Sequence, residues 1–227
     1  MIRLEAVERT FTVGESEVRA LVDVSLTIDQ GDYVAVMGPS GSGKSTLLNV
    51  LGLLDHCDSG RYWLSEIETS GLDESHRALL RREHIGFVFQ SYHLIPRLSA
   101  QENIELPMML AGISPEVRRA SSNAVLERLR IADRAHHLPN QLSGGQRQRV
   151  AIGRSIVMKP QLLLADEPTG NLDSRSGAEV TALLEELNVE GITLLIVTHD
   201  PAMGDRARRR IHMLDGRVDS DEYSGGL

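Results

Sequence analysis

Tyr33-Val34-Ala35-Val36-Met37 runs into Gly38-Pro39-Ser40-Gly41-Ser42-Gly43-Lys44-Ser45, and that into Thr46-Leu47-Leu48-Asn49-Val50-Leu51. The middle segment satisfies the pattern G-x-x-x-x-G-K-[ST], and its flanks read as a buried strand entering and a helix leaving, the context the pattern requires. Glycine lets the backbone bend so that successive amides point inward at a polyphosphate. The start of the following helix adds unpaired N–H groups and a partial positive charge. Lys44 can bridge β- and γ-phosphates, and the Ser45 hydroxyl can ligate Mg²⁺. Gly38 through Thr46 is therefore the expected cradle for a nucleotide's phosphates. A glycine-rich turn with no ligand is the plainer alternative, and the strand–loop–helix context disfavours it. The loop alone does not choose among kinases, GTPases and transport ATPases.

Working outward, further strands and helices alternate. Val22, Val24, Leu26 and Ile28 alternate with polar residues, the period of a half-buried strand. Leu162-Leu163-Leu164-Ala165 and Thr193-Leu194-Leu195-Ile196-Val197 read as buried parallel strands. Asp215-Gly216 signals a hairpin turn between Ile211 and Val218. Val180, Leu183, Leu184 and Leu187 mark one face of a helix capped by Asp173. Ser114-Pro115 reads as an N-cap with proline at the first helical position, and Ser99-Ala100-Gln101-Glu102 as a capping box. Residues 91–159 are helix-rich without a convincing buried strand. The expectation is one α/β domain over residues 1–227, with a core from 1–90 and 160–227 and an inserted helical lobe from 91–159. The acidic tail after Val218 is expected to be loosely ordered. The Arg206, Arg208, Arg209, Arg210 cluster is expected at a solvated helix end.

Composition excludes several classes. Over 227 residues, 41% are apolar and 25% charged, the balance of an ordinary globular protein. A formal net charge of -8 is the wrong sign for a binder of nucleic-acid backbones. Aromatics at 4% argue against a stacking platform for single strands. Cys57 is the single cysteine, and no Cys/His spacing suggests a structural metal. The richest apolar stretch, Leu47 to Leu54, is broken by Asn49 and Gly52 and falls far short of the roughly 20 residues of a membrane span. The N-terminus lacks a signal-peptide pattern. The chain reads as cytoplasmic, with any membrane role carried by a partner.

Leu142-Ser143-Gly144-Gly145-Gln146 resembles the signature motif of ABC ATPases, and every position matches. A chance match this specific is expected on the order of once in several thousand chains, so the motif decides the class. Ser143 and Gln146 have capping-box spacing, and Gln148 to Arg154 can be helical, so the motif would open a helix as a second anion site. Other positions of the family appear in order, and the resemblance covers nearly the whole chain. Leu162 to Glu167 resembles the Walker B strand, which implies Asp166 as a Mg²⁺ holder and Glu167 as the general base or polarising group for the attacking water. Gln90 resembles the Q-loop glutamine that contacts Mg²⁺ and water, and His199 the switch histidine at the γ-phosphate. Asn171-Leu172-Asp173 resembles the D-loop, which crosses the dimer interface and brings Asp173 to the nucleotide. Phe11 stands where the family carries an adenine-stacking aromatic, more often tyrosine; core packing is the rival reading. The other seven histidines have no such context.

The resemblance implies an α/β P-loop NTPase core with an N-terminal antiparallel β subdomain and an inserted helical lobe. It implies ATP and Mg²⁺ as ligands, and a homodimer in which the phosphate loop of one copy faces Ser143, Gly144, Gly145 and Gln146 of the other. The wording around the motifs, such as Phe89-Gln90-Ser91-Tyr92-His93-Leu94-Ile95-Pro96 and Asp166-Glu167-Pro168-Thr169-Gly170-Asn171, is similar to the MacB, LolD and FtsE group. That group implies an integral membrane permease as partner, a periplasmic adaptor reached through it, and no direct nucleic acid. Export or lipoprotein release is the leading reading; regulation of a cell-division complex without transport is the alternative. A soluble ABC ATPase of nucleic-acid metabolism is a further one. The sequence departs from the group at Cys57-Asp58, where proline and threonine are common, and sequence alone attaches no mechanism to that change.

Overall fold

The structure, a computed structural model, describes residues 1–14 and 16–223. β1 (Ile2–Val13) and β2 (Ser16–Ile28) form an antiparallel ribbon, and β3 (Tyr33–Met37) leads into α1 (Lys44–Leu51). β4 (Ser59–Leu64) and β5 (Ile67–Glu68) return to the ribbon, and α2 (Glu74–His84) leads to β6 (Ile85–Phe89). α3 (Ala100–Leu110), α4 (Pro115–Arg128) and α5 (Gly144–Ile156) follow before β7 (Leu162–Asp166). The chain then runs through α6 (Ser174–Val189), β8 (Thr193–Val197) and α7 (Pro201–Gly204) to the hairpin of β9 (Arg209–Leu214) and β10 (Arg217–Tyr223).

Two sheets result. One is antiparallel, in the order β2-β1-β4-β5; the other has six strands, in the order β10-β9-β3-β8-β7-β6. In the larger sheet β3, β6, β7, β8 and β9 are parallel. Its central strands are buried on both faces, and their alternate residues feed two different cores. Val34, Val36, Leu162, Leu164, Leu195 and Val197 pack with Ile2, Leu4, Leu26 and Ile28 of the antiparallel sheet. Ala35, Leu163, Ala165, Leu194 and Ile196 pack with Ile104, Val150, Val180 and Leu184 of the helices. Parallel strands with short, apolar runs therefore form the middle layer of three.

Register is what positions the site. Phe89, Asp166 and Val197 lie in one row across β6, β7 and β8, and Val36 of β3 opposes Val197. Gln90, Glu167, Thr198 and the loop after Met37 thus all emerge at one edge, outside the carboxyl ends of the strands, where ligands of open α/β sheets bind.

Most local signals appear as elements. Asp173 caps α6, Ser99 and Glu102 close a capping box on α3, and Asp215 and Gly216 turn the final hairpin with φ of 47° and 77°. Ser114 does precede α4, with Pro115 at its first position, but its hydroxyl makes no capping bond. Two expectations are corrected. The chain after Val218 is strand through Tyr223, because Asp221 ties it to its neighbour; residues 224–227 lie outside the described residues. The arginine cluster is a solvated helix end only in part: Arg206 and Arg208 are exposed just after α7, whereas Arg209 and Arg210 belong to β9. α7 stops at Gly204, and Arg209 enters β9 with its side chain 7% exposed. Arg209 donates to both Asp221 carboxylate oxygens at 2.7 and 2.6 Å and to the Thr27 carbonyl at 2.6 Å. Among the described residues, no helix is long and apolar enough to cross a membrane.

Candidate nucleotide site

The loop between β3 and α1 is shaped by glycine. Gly38, Gly41 and Gly43 have φ of 146°, 80° and 98°, conformations that side chains rarely adopt. A Cβ on Gly43 would also strike the Ala20 carbonyl. The loop curls round the Lys44 ammonium, which donates to the carbonyls of Gly38 and Pro39 at 2.9 and 2.7 Å. Ser42 Oγ lies 3.4 Å from the same ammonium. The first helical bond of α1 runs from Leu47 N to Gly43 O, so the Lys44, Ser45 and Thr46 amides precede it. Pro39, Ser40 and Ser45 are exposed. Free amides, an ammonium and hydroxyls in one concave turn suit a polyphosphate.

The carboxylates stand beside this loop. Burial, and then the adjacent Glu167 charge, hold the Asp166 carboxyl above its ordinary pKa, while Lys44 pulls the other way. A carboxyl in that position gains from a cation. Glu167 follows at φ 45°, held there by its own amide donating to Val197 O at 2.9 Å. Its Oε1 accepts from the His199 amide at 3.1 Å and from His199 Nδ1 at 2.6 Å, while Thr198 Oγ1 is 3.5 Å from Oε2. The bond to Glu167 raises the imidazole pKa. Lys44, Asp166, Glu167 and His199 therefore share one electrostatic cluster.

Gln90 sits directly after β6. Its carbonyl accepts from Asn171 Nδ2 at 3.0 Å, and its side-chain amide lies so near Gly170 that a Cβ there would come within 2.7 Å of Nε2. This fastens the segment after β6 to the segment after β7.

The motif at Leu142–Gln146 forms a second, separate group. Ser143 Oγ accepts from Gln146 N at 3.2 Å, and Gln146 Oε1 from Ser143 N at 2.9 Å, so the capping box opens α5. A Cβ on Gly145 would be 3.0 Å from Ser176 Cβ, and one on Gly144 3.3 Å from Leu172 Cδ2. Asp173 caps α6 through Ser176, its carboxylate accepting from Ser176 N at 3.0 Å and from Ser176 Oγ at 2.8 Å. Ser143, Gln146 and Asp173 line one cleft of about 750 Å³, which none of the phosphate loop, Asp166, Glu167 or His199 lines. Phe11 is not a core residue: it is 36% exposed on β1, with the Arg9 guanidinium 4.6 Å over its ring.

Three residues went unread in the sequence. Tyr92 and His93 take positive φ, 58° and 47°, just after Gln90. Half-buried Arg154 of α5 donates to both their carbonyls, at 2.9 and 2.5 Å. The Tyr92 hydroxyl reaches the Asn171 carbonyl at 3.4 Å, and Arg147 lies 5.1 Å over its ring. No local pattern encodes such links, because the partners are distant in sequence.

A three-layer fold, a phosphate loop beside an Asp-Glu pair at neighbouring strand ends, and a separate glycine-rich helix start define an ATP-binding cassette. The family model described as ABC transporter matches residues 21–170. The chain belongs to the ABC transporter family. It is 50% identical over 221 residues to the macrolide export ATP-binding/permease protein MacB of Bartonella henselae, covering 97% of this chain and 34% of that protein. Identity to the MacB protein of Rhodopseudomonas palustris strain HaA2 is 53% over 223 residues, covering 98% and 34%. The chain thus spans about a third of the length of these curated relatives. Among solved structures, a dimeric post-hydrolysis state of the ATP-binding cassette MJ0796 bound to ADP and Pi superposes with TM-score 0.92 at 43% identity, covering 100% of both chains.

Proposed function

We propose that the chain hydrolyses ATP to ADP and phosphate for a membrane export or lipoprotein-release complex, working as a homodimer around two ATP. The observation that carries this reading is the separation of the two anion-binding groups. Lys44 and the carboxylates open on one surface, while Ser143, Gln146 and Asp173 line a different cleft. A nucleotide seated on Gly38 to Thr46 meets the signature loop only when a second copy supplies it.

Within the site, Gly38, Pro39, Ser40, Gly41, Ser42, Gly43, Lys44, Ser45 and Thr46 hold the phosphates, and Phe11 takes the adenine. The hydroxyl of Ser45, the amide oxygen of Gln90 and the carboxylate of Asp166 form an all-oxygen donor set, the chemistry that Mg²⁺ prefers. The raised pKa of Asp166 fits the same role, since a cation beside it would replace the proton. Bound there, Mg²⁺ would neutralise charge on the phosphates. Glu167 is the general base. His199 and its amide occupy Oε1, while Oε2, met only by Thr198 Oγ1 at 3.5 Å, keeps a lone pair to take a proton from the attacking water. Loss of the γ-phosphate then frees the Ser143, Gly144, Gly145 and Gln146 loop, and the dimer loosens.

The motion passes through Gln90 and the helical lobe of residues 91–159 to an integral membrane permease, fused or separate, and through it to a periplasmic adaptor. The chain works at the cytoplasmic face of the cell membrane and binds no nucleic acid.

The test is Glu167→Gln. It should lower steady-state hydrolysis by about 10²-fold or more and elute as a dimer in Mg-ATP on gel filtration. A monomer with unchanged hydrolysis overturns the reading.

A further inference from the structure

The tip of the β1–β2 ribbon has little to support it. β1 pairs with β4 only as far as Glu8↔Ser59, and its register against β2 shifts between Val7 and Arg9 and again between Arg9 and Thr10. Beyond that point two strands stand alone, an arrangement that is marginal in water. Yet the tip carries Phe11, paired with Val18. Two residues beyond Val18, the Ala20 carbonyl presses on Gly43 of the phosphate loop, and Val22 N donates to Gly216 O at 2.8 Å. Phe11 therefore stands on the same ribbon that meets the phosphate loop, one strand and two residues away from that contact.

What fixes the tip is a set of charges from the loop after α1. Arg9 donates from Nε and Nη2 to the two oxygens of Asp55, at 3.0 and 2.9 Å. Its Nη1 donates to Asp58 Oδ1 at 2.5 Å, and His56 Nε2 lies 3.4 Å from the same nitrogen. Asp58 also grips the strand directly: its Oδ2 accepts from Thr10 N at 2.7 Å, and its own amide donates to Glu8 O at 2.9 Å. The guanidinium so held lies over Phe11, and its side chain is mostly buried. One face of the ring is covered by an immobilised cation, and the remaining exposure belongs to the rest of the ring.

We infer that Arg9, clamped by Asp55 and Asp58, is a positioning residue that holds Phe11 as a ready-made platform for the nucleobase. The inference rests on the reading that Phe11 stacks on adenine, and it adds what keeps the ring in place. A guanidinium on a ring face is favourable in itself. A ring ordered before binding loses less freedom when the base arrives, so affinity for the base rises without any new contact to it. Asp58 thereby acquires a role: its carboxylate supplies two acceptors, one to the clamp and one to the strand.

Calorimetric titration with ADP and with inorganic pyrophosphate tests this, because only ADP carries the base. Arg9→Gln and Asp58→Ala should each weaken ADP by about three- to tenfold while pyrophosphate changes less than twofold. In a Phe11→Ala background, Arg9→Gln should add nothing further for ADP. If Phe11→Ala weakens ADP alone but neither clamp variant does, the clamp is overturned and the stacking reading survives. If Phe11→Ala leaves the ADP-to-pyrophosphate ratio unchanged, the stacking reading fails and the clamp with it. Equal loss of both ligands in the clamp variants means general loosening of the fold, which also overturns the proposal. Thermal melts of both clamp variants identify any that fail to fold, and the other then decides.

Discussion

Glu167 holds a positive φ that costs a non-glycine residue of order 1–3 kcal/mol, and the bond from its amide to Val197 O is one restraint that keeps it there. The strained turn aims the carboxylate back across the strand ends, where His199 meets it with both amide and ring. Removing the ring leaves the amide bond alone to orient Oε1. His199→Ala should therefore lower single-turnover phosphate release by about 10²-fold, with Mg-ATP-dependent dimerisation retained on gel filtration. A rate within twofold of the parent would remove His199 from the mechanism. At this scale, much of the candidate site's geometry was legible. The loop from Gly38 to Thr46, the Asp166-Glu167 pair and the Ser143–Gln146 box each depend on neighbours within a few positions, so spacing reveals them. Arg154 and Tyr92 were not, since their roles come from a half-buried guanidinium reaching the carbonyls of residues 92 and 93 and from the positive φ of Tyr92 and His93.

Among the elements, the caps show how far a sequence signal carries. Ser99 and Ser114 both precede helices, but only Ser99 receives a backbone amide, from Glu102 at 3.2 Å. Ser99→Ala should cost about 1 kcal/mol in urea unfolding, and Ser114→Ala less than about 0.5 kcal/mol, because only the first loses a capping bond. The same box predicts a pH effect. The Ser99 amide, donating to Glu102 Oε2 at 2.7 Å, holds the Glu102 carboxyl below its ordinary value of 4.5. A depressed carboxyl pKa contributes stability that is complete above the unfolded value and is lost as pH falls through the folded one. Glu102→Gln keeps an acceptor that does not titrate, so its stability relative to the parent should improve between pH 6 and pH 3, roughly the span of the titration. Equal slopes against pH for the two proteins would exclude the effect. Elements were misread where composition masked pairing. Asp219, Asp221 and Glu222 made the final segment look like a solvated tail, whereas Asp221 exists to satisfy Arg209 from the adjacent strand.

In the molecule as a whole, the antiparallel sheet must stay in fixed relation to the six-stranded one, because β2 presses on the phosphate loop at Ala20 while the loop grows from β3. Apolar packing between the sheets is non-directional and does not by itself set that relation. Arg209 does. From β9 it binds Asp221 of β10 bidentately and the Thr27 carbonyl of β2, so one planar side chain with fixed donors spans both sheets. Burial disfavours the charged guanidinium, and the Asp221 bond outweighs it, so the pKa of Arg209 is raised rather than lowered. Arg209→Ala leaves both acceptors without their donor. It should cost about 2–3 kcal/mol and lower the melting temperature by roughly 4–12 °C for a chain of this size. Arg210 is the matched control. Its pairs with Asp205 and Glu222 are open to solvent, so Arg210→Ala should stay within about 0.5 kcal/mol of the parent. Calorimetric melts of the two variants decide the matter: equal shifts would mean that Arg209 adds nothing beyond an exposed ion pair, and a large shift confined to Arg209→Ala assigns it a share in joining the sheets.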